Sequence, residues 1–197
     1  MDGLSQIPGY SEAIRKENES RDLAFLNLPQ SVCGIDIGPF TLRKYILLEG
    51  IGNPFVCGGN ILPAHVAQFL WILSPGWVAG NGSERDTFTR KVSLIKYSRA
   101  VKEIMELCEV TFQDSPSYRG AGFSVRIVSG AASYVDILAS EYGWSENTVL
   151  DMPIARLFQY VRLIQKRHDP KRTFINPSDK VRGKWLAEVN AEKAKAN

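Results

Sequence analysis

Apolar residues recur at helical spacing along much of this chain. After Pro63 they occupy positions i, i+3, i+4 and i+7, as Val66, Phe69, Leu70 and Leu73. A second stripe follows Pro153 and extends towards Lys166, with apolar residues at Ile154, Leu157, Phe158, Val161 and Ile164. These two stripes predict amphipathic helices, each of which buries one face.

Other segments have a less regular helical pattern. A polar helix is predicted over Ser11–Leu28, and Pro39 and Gly50 bracket another helix. The segment from Glu84 to Phe112 is longer than a usual globular helix, so it has room for a break. One face of that segment is expected to carry Leu94, Tyr97, Val101, Ile104, Met105 and Cys108.

Only one stretch, FSVRIV (123–128), has the pattern of a strand, and it could equally lead into a helix over Ala131–Tyr142. The sequence therefore predicts a mainly α protein, a compact bundle of six to seven short amphipathic helices with an extended C-terminal tail. Residues 1–30 are predicted to be a loosely ordered N-terminal segment, and residues 31–167 the helical core domain. Residues 168–197 are predicted to be a linker and a basic C-terminal amphipathic helix.

Charge is distributed unevenly over the 197 residues. The net charge is +3, yet the part from Ile154 onward has 11 Lys and Arg against 4 Asp and Glu, a local charge of +7. The first 153 residues have 13 against 17, or −4. A basic end on a mildly acidic body predicts an acidic partner, which could be nucleic acid, an acidic helix or a neighbouring copy. A solvated basic tail fits the same counts.

The cysteines and the apolar runs bear on the compartment. Cys33, Cys57 and Cys108 are scattered and odd in number, which favours a reducing environment over a disulfide framework. The N-terminal residues have no apolar core of a secretory signal. No apolar run approaches the ~20 residues that a membrane-spanning helix needs. We therefore expect a cytoplasmic protein.

The stretch LASEYGWSENTV (138–149) fits the pattern of a DNA-reading helix-turn-helix. A recognition helix must present basic or amide side chains to the bases. The helix after this turn has Glu146 and Asp151, no Lys or Arg, and only Asn147 and Thr148 as plausible readers. Pro153 ends it after about two turns. Its charge has the wrong sign for a polyanion, so a DNA-binding regulator is the weaker alternative.

The same turn is better explained as a packing corner. Gly143 can end the preceding helix in a left-handed conformation. Ser145 can cap the next helix by accepting a hydrogen bond from a free backbone amide. Trp144, between the two helix ends, is then predicted to be a wedge in the core.

Enzyme signatures are sparse. His65 and His168 are far apart, and no Cys or Asp cluster accompanies them, so we expect no metal site. The sequence contains no phosphate-binding loop and no G-x-S-x-G motif. Glu103, Glu106 and Glu109 lie three apart, which is more typical of a solvated helix face than of an acid–base pair. We therefore expect no catalytic residue, no cofactor and no enzymatic activity.

Three tryptophans are candidate exposed anchors for a partner: Trp71, Trp77 and Trp185. Trp185 lies beyond the linker, where Val181, Leu186 and Val189 form a small apolar face with it. Such a helix can dock into the groove of another protein. It could equally pack back on its own body.

Two blocks of the sequence resemble the tail assembly chaperones of tailed bacteriophages and prophages. They are TLRKYILLEGIGNPFVCGG with ILPAHVAQFLWILSPGW, and YGWSENTVLDMPIARLFQYVRLI, and together they cover roughly residues 41–165. The residues that match are Tyr142, Gly143, Trp144, Ser145, Leu150, Pro153, Leu157 and Phe158. The tail from His168 onward matches nothing in that family.

The resemblance implies a non-catalytic helical protein that coats the tape-measure protein and helps to recruit tail-tube subunits. It also implies self-association and a place in the cytoplasm of the infected bacterial host, whereas the acidic helix after the turn and the short apolar runs predict no nucleic-acid partner and no membrane partner. The unmatched tail from His168 onward could instead anchor the chain in the virion, so a structural virion protein of the tail or neck is the first alternative. The residues predicted to bind the partner are Trp71, Trp77, Tyr142, Trp144, Arg156, Arg162, Trp185 and Leu186.

Overall fold

The computed structural model describes residues 7–77, 82–115, 130–174 and 176–196, and these ranges contain ten helices and one two-stranded sheet. In chain order the first elements are α1 (Tyr10–Leu26), β1 (Gln30–Val32), β2 (Ile35–Ile37), α2 (Leu42–Gly50), α3 (Pro54–Cys57) and α4 (Pro63–Leu73). The others are α5 (Gly82–Ser93), α6 (Tyr97–Phe112), α7 (Gly130–Tyr142), α8 (Glu146–Leu150), α9 (Ile154–His168) and α10 (Pro177–Ala196). The mainly α class is confirmed.

The two regular stripes form the helices that they predict. All four predicted residues of α4 and all five of α9 are buried in one apolar core. At its centre Phe69 meets Phe40 edge to face, with ring centroids 5.7 Å apart. Helices α6 and α7 add Ile104 and Leu138, both fully buried, to the same core.

The helix count differs from the expected six or seven, partly because the long segment before Phe112 is broken. Helix α5 ends at Ser93 and α6 begins at Tyr97. The break leaves Leu94 87% exposed, and Met105 is also exposed. The buried face of α6 is instead formed by Ala100, Ile104, Cys108 and Thr111. The strand predicted at 123–128 lies outside the described residues.

The two ends of the chain are helices that contact each other. Helix α1 packs against α10, and also against α9 and α6. The loosely ordered segment expected at 1–30 therefore includes a 17-residue packed helix. The extended tail likewise includes the 20-residue α10, which lies against α1. The domain boundaries at residues 30 and 167 stay predictions.

The sequence pattern does not predict the β1–β2 hairpin, because each strand has only three residues. Its turn is Cys33-Gly34, with φ of 53° and 76°. Two successive left-handed residues form the tight turn that matches the twist of a hairpin. The Cys33 amide donates to a carboxylate oxygen of Glu103 at 2.6 Å, which attaches the turn to α6.

Backbone bonds join the start of α2 to the start of α9. The Leu42 amide donates to the Met152 carbonyl at 3.1 Å, and the Ile154 amide donates to the Phe40 carbonyl at 2.8 Å. The end of α8 is therefore held against the body, which fixes the position of the α7–α8 corner.

Candidate partner-binding surfaces

Partly exposed rings of α1 and α9 meet those of the α7–α8 turn in a set that we call the aromatic corner: Phe25, Tyr142, Trp144 and Tyr160. Tyr142 and Trp144 stack with centroids 4.6 Å apart and planes 19° apart. Tyr160 of α9 meets Trp144 edge-on at 5.0 Å, and Phe25 of α1 lies 5.8 Å from Tyr160. Three helices thus supply one continuous aromatic surface.

The local sequence explains this geometry as predicted. Gly143 has φ of 68°, and its amide donates to the Ala139 carbonyl at 2.8 Å, which closes α7. The Ser145 hydroxyl accepts from the Thr148 amide at 3.2 Å, which caps α8. Both roles are confirmed.

The predicted role of Trp144 as a wedge in the core needs correction. Its indole is half-buried and packs against the edge of the core. The residue of this corner that fully enters the core is Val149, which is 0% exposed. The indole therefore leaves part of its surface open to solvent.

Two guanidinium groups border the aromatic corner. Arg167 lies over the Tyr142 ring at 5.4 Å and donates to its hydroxyl at 2.9 Å. Arg156 lies 4.9 Å from the Phe25 centroid and donates twice to the Phe25 carbonyl, at 2.9 and 2.6 Å. Arg156, predicted to bind a partner, is thus engaged within the molecule, where it joins α9 to the end of α1.

Helix α8 and its C-cap Asp151 carry carboxylates, one of which is paired with α2. Arg43 of α2 donates to Asp151 at 2.8 Å and to the Asn147 side-chain oxygen at 3.4 Å. Asn147, one of the two plausible base readers, is therefore held by a neighbouring side chain. Glu146 remains exposed on the same helix. This arrangement favours a packing corner over a DNA-reading helix.

Trp71 and Trp77 lie together in a different place. They line one groove of about 490 Å³ between α4 and α5. Both side chains are half-buried, and Trp71 packs against Phe88 with ring centroids 5.2 Å apart. The α4–α5 groove is a second apolar surface, separate in its lining from the aromatic corner.

Arg162 belongs to a buried polar network that the sequence pattern does not predict. Its guanidinium pairs with Asp114, which also accepts from Arg21 at 2.9 Å. Arg21 pairs further with Glu17, and both arginines donate to the Asn176 side chain. Burial lowers the pKa of Arg162. Its predicted role in partner binding is therefore limited to the edge that faces solvent.

The network also holds the start of α10. The Ser178 amide donates to the Glu17 carboxylate at 2.9 Å, which satisfies an orphan donor in the first turn of that helix. Further along α10, Trp185 is half-buried and Leu186 is exposed. Of the two alternatives for this helix, the structure shows it packed against α1 of its own chain.

The histidine and glutamate side chains considered for catalysis or metal binding make structural contacts within the protein. His65 accepts the Leu62 amide at Nδ1, and His168 pairs with Glu141 at 2.6 Å. Glu103 is bound by Arg99 and by the hairpin turn. Within the described ranges, no group of three or more His, Cys, Asp and Glu side chains is arranged to hold a metal ion. Nor does any described helix combine the length and apolarity needed to cross a membrane.

Comparison of the chain with protein-family models, curated proteins and solved structures gives no match.

The residues predicted to bind a partner lie in separate places: the aromatic corner, the α4–α5 groove, the buried network and α10.

Proposed function

We propose that this protein is a non-enzymatic tail assembly chaperone that binds the tape-measure protein and helps to recruit tail-tube subunits. The observation that supports the proposal most is the position of Tyr142 and Trp144. These two residues belong to the sequence block that resembles the chaperones. Their rings form a partly exposed surface that is held in place by Tyr160.

The aromatic corner has the properties of a contact surface for a helix. Large rings supply apolar area while they lose little conformational entropy on binding, because their neighbours already hold them. Arg167 over the Tyr142 ring places a cation at the border of the apolar area. A partner helix with an apolar stripe and an acidic flank complements that arrangement.

The test is co-expression with the tape-measure protein that the same genome encodes. Trp144→Ala should abolish co-purification, because it removes the central ring. It should lower the free energy of unfolding by only about 2 kcal/mol, since the indole is half-buried. The matched control is Leu94→Ala, which removes an apolar side chain from the exposed α5–α6 linker.

Three results would reject the proposal. They are full co-purification of the Trp144→Ala variant, equal loss in the Leu94→Ala control, and failure of the wild-type chain to bind.

Mass spectrometry of purified particles tests the alternative that this chain is a structural virion protein. An abundant signal from this chain in finished particles would favour that alternative, because a chaperone leaves before the tail is complete.

A further inference from the structure

A pocket of about 670 Å³ opens between α1, α9 and the segment that leads into α10. We call it the basic pocket. Five cationic side chains line it, together with two carboxylates, which gives its lining a charge of +3. The cations are Arg21, Arg162, Lys166, Arg172 and Arg182, and the carboxylates are Asp114 and Asp179.

The inner wall of the basic pocket is fixed by the buried network. The Asp114 carboxylate is 2% exposed and binds both Arg21 and Arg162. Asn176 accepts from the same two arginines at 2.9 and 3.3 Å. The two guanidiniums are therefore held in place before any partner arrives, which lowers the entropic cost of binding.

The outer wall combines cations with apolar surface. The Phe174 ring centroid lies 4.7 Å from the Arg162 guanidinium carbon and 5.8 Å from that of Arg172. Leu163, on the same wall, is 57% exposed. Lys166 donates to the carbonyls of Pro170 and Arg172, at 2.6 and 3.0 Å, which holds the segment that forms this wall.

We propose that the basic pocket binds a carboxylate-bearing segment of a protein partner, with an apolar side chain of that segment against Leu163 and Phe174. A net charge of +3 favours an anion, and guanidinium groups bind carboxylates with directed hydrogen bonds. The exposed, aliphatic Leu163 beside the half-buried Phe174 favours a peptide, because an aliphatic side chain of a peptide can pack against both. The two carboxylates in the wall also oppose an extended polyanion.

This inference deepens the proposed function by naming the chemistry of the partner, yet its test requires no tape-measure protein. The probe is a fluorescein-labelled synthetic peptide of repeating Glu-Glu-Leu-Ala, titrated with the full chain and followed by fluorescence anisotropy. We expect the affinity to fall as salt is raised, because the attraction is between exposed charges. Failure with this probe and failure to co-purify the tape-measure protein are thus separate results.

The decisive variant is the double change Arg172→Ala with Arg182→Ala, at the mouth of the pocket. We expect a loss of about tenfold or more in affinity, because two cations leave the site. The matched control, Arg85→Ala with Arg90→Ala on α5, removes the same charge elsewhere and should retain the affinity within about twofold. Replacing the mouth arginines with lysine should keep most of the binding. Circular dichroism should show all three variants folded, since none of the changes touches the buried network.

Four results would overturn the inference. The first is absence of peptide binding, and the second is equal loss in the α5 control. In the third, a single-stranded oligothymidylate binds more tightly than the peptide, which would assign the pocket to nucleic acid. In the fourth, sedimentation shows a dimer of the chain that the mouth variant abolishes, which would assign the pocket to a second copy.

Discussion

Asp114 is the carboxylate that holds Arg21 and Arg162 together, and Asp114→Asn tests whether that network stabilises the fold. The change keeps the shape of the side chain but places an amide donor against guanidinium donors. Removal of one partner from a buried ion pair costs roughly 3–5 kcal/mol. Arg162 is 13% exposed and Arg21 keeps its contact with Glu17, so we expect the lower end, about 3 kcal/mol.

The assay is urea unfolding followed by circular dichroism, with Asp151→Asn as the matched control. Asp151 also pairs with an arginine of another helix, Arg43, but both side chains are well exposed, at 62% and 42%. Exposed pairs contribute about 0–1 kcal/mol. If Asp114→Asn costs less than about 1 kcal/mol, no more than the control, the network does not hold α1, α9 and α10 together.

Four further predictions concern other parts of the molecule. Asn53→Ala should lower the free energy of unfolding by about 2–3 kcal/mol, because this fully buried side chain caps α3 and donates to the His65 carbonyl. A loss below about 1 kcal/mol in urea unfolding would contradict this prediction. Gly143→Ala should lower the free energy of unfolding by about 1 kcal/mol through the left-handed backbone alone, since nothing lies within 4 Å of the added carbon. Gly143→Asn should lower it by less in the same urea unfolding assay. Burial raises the pKa of the Cys108 thiol to about 12, so at mildly alkaline pH Ellman's reagent should label exposed Cys57 quickly and Cys108 only on unfolding. The same raised pKa should make the free energy of unfolding fall as the pH rises from about 9 towards 12, because only the unfolded thiol ionises there. Cys108→Ala should remove this contribution to the pH dependence of the free energy of unfolding.

Features that depend on neighbours in the sequence were predictable. The stripes of α4 and α9 are set by helical periodicity, and both are buried as expected. Gly143 and Ser145 act within a few residues of their own positions, so their roles could be inferred from local chemistry alone. The length of the segment 84–112 indicates room for a break, but it does not give the position of the break after Ser93. The exposure of Leu94 depends on which face of α6 packs against the core, and the sequence does not give that orientation.

The buried network could not be read from the sequence, because its members are far apart in the chain. Arg21 and Asp114 are 93 residues apart, and Arg21 and Asn176 are 155 apart. Each of them lies in a stretch whose polarity is typical of a solvated surface. Only the packing of α1 against α9 and α10 removes them from water. The hairpin is also not predictable from the sequence, because strands of three residues are too short to show an alternating pattern.

The charge of the C-terminal end has two physical uses, which the residue counts alone could not separate. Arg156 and Arg162 are directed inward, to the Phe25 carbonyl and to Asp114, where each joins α9 to a distant part of the chain. Asp114 compensates the charge of Arg162, whereas the carbonyl that holds Arg156 is neutral and leaves the charge of Arg156 in place. Arg172 is partly exposed, the Arg182 side chain is 43% exposed beside its pair with Asp179, and both line an opening next to an exposed leucine. The mouth of the basic pocket therefore carries charge that a partner can reach, and variants at that mouth should slow association more than variants of Arg162.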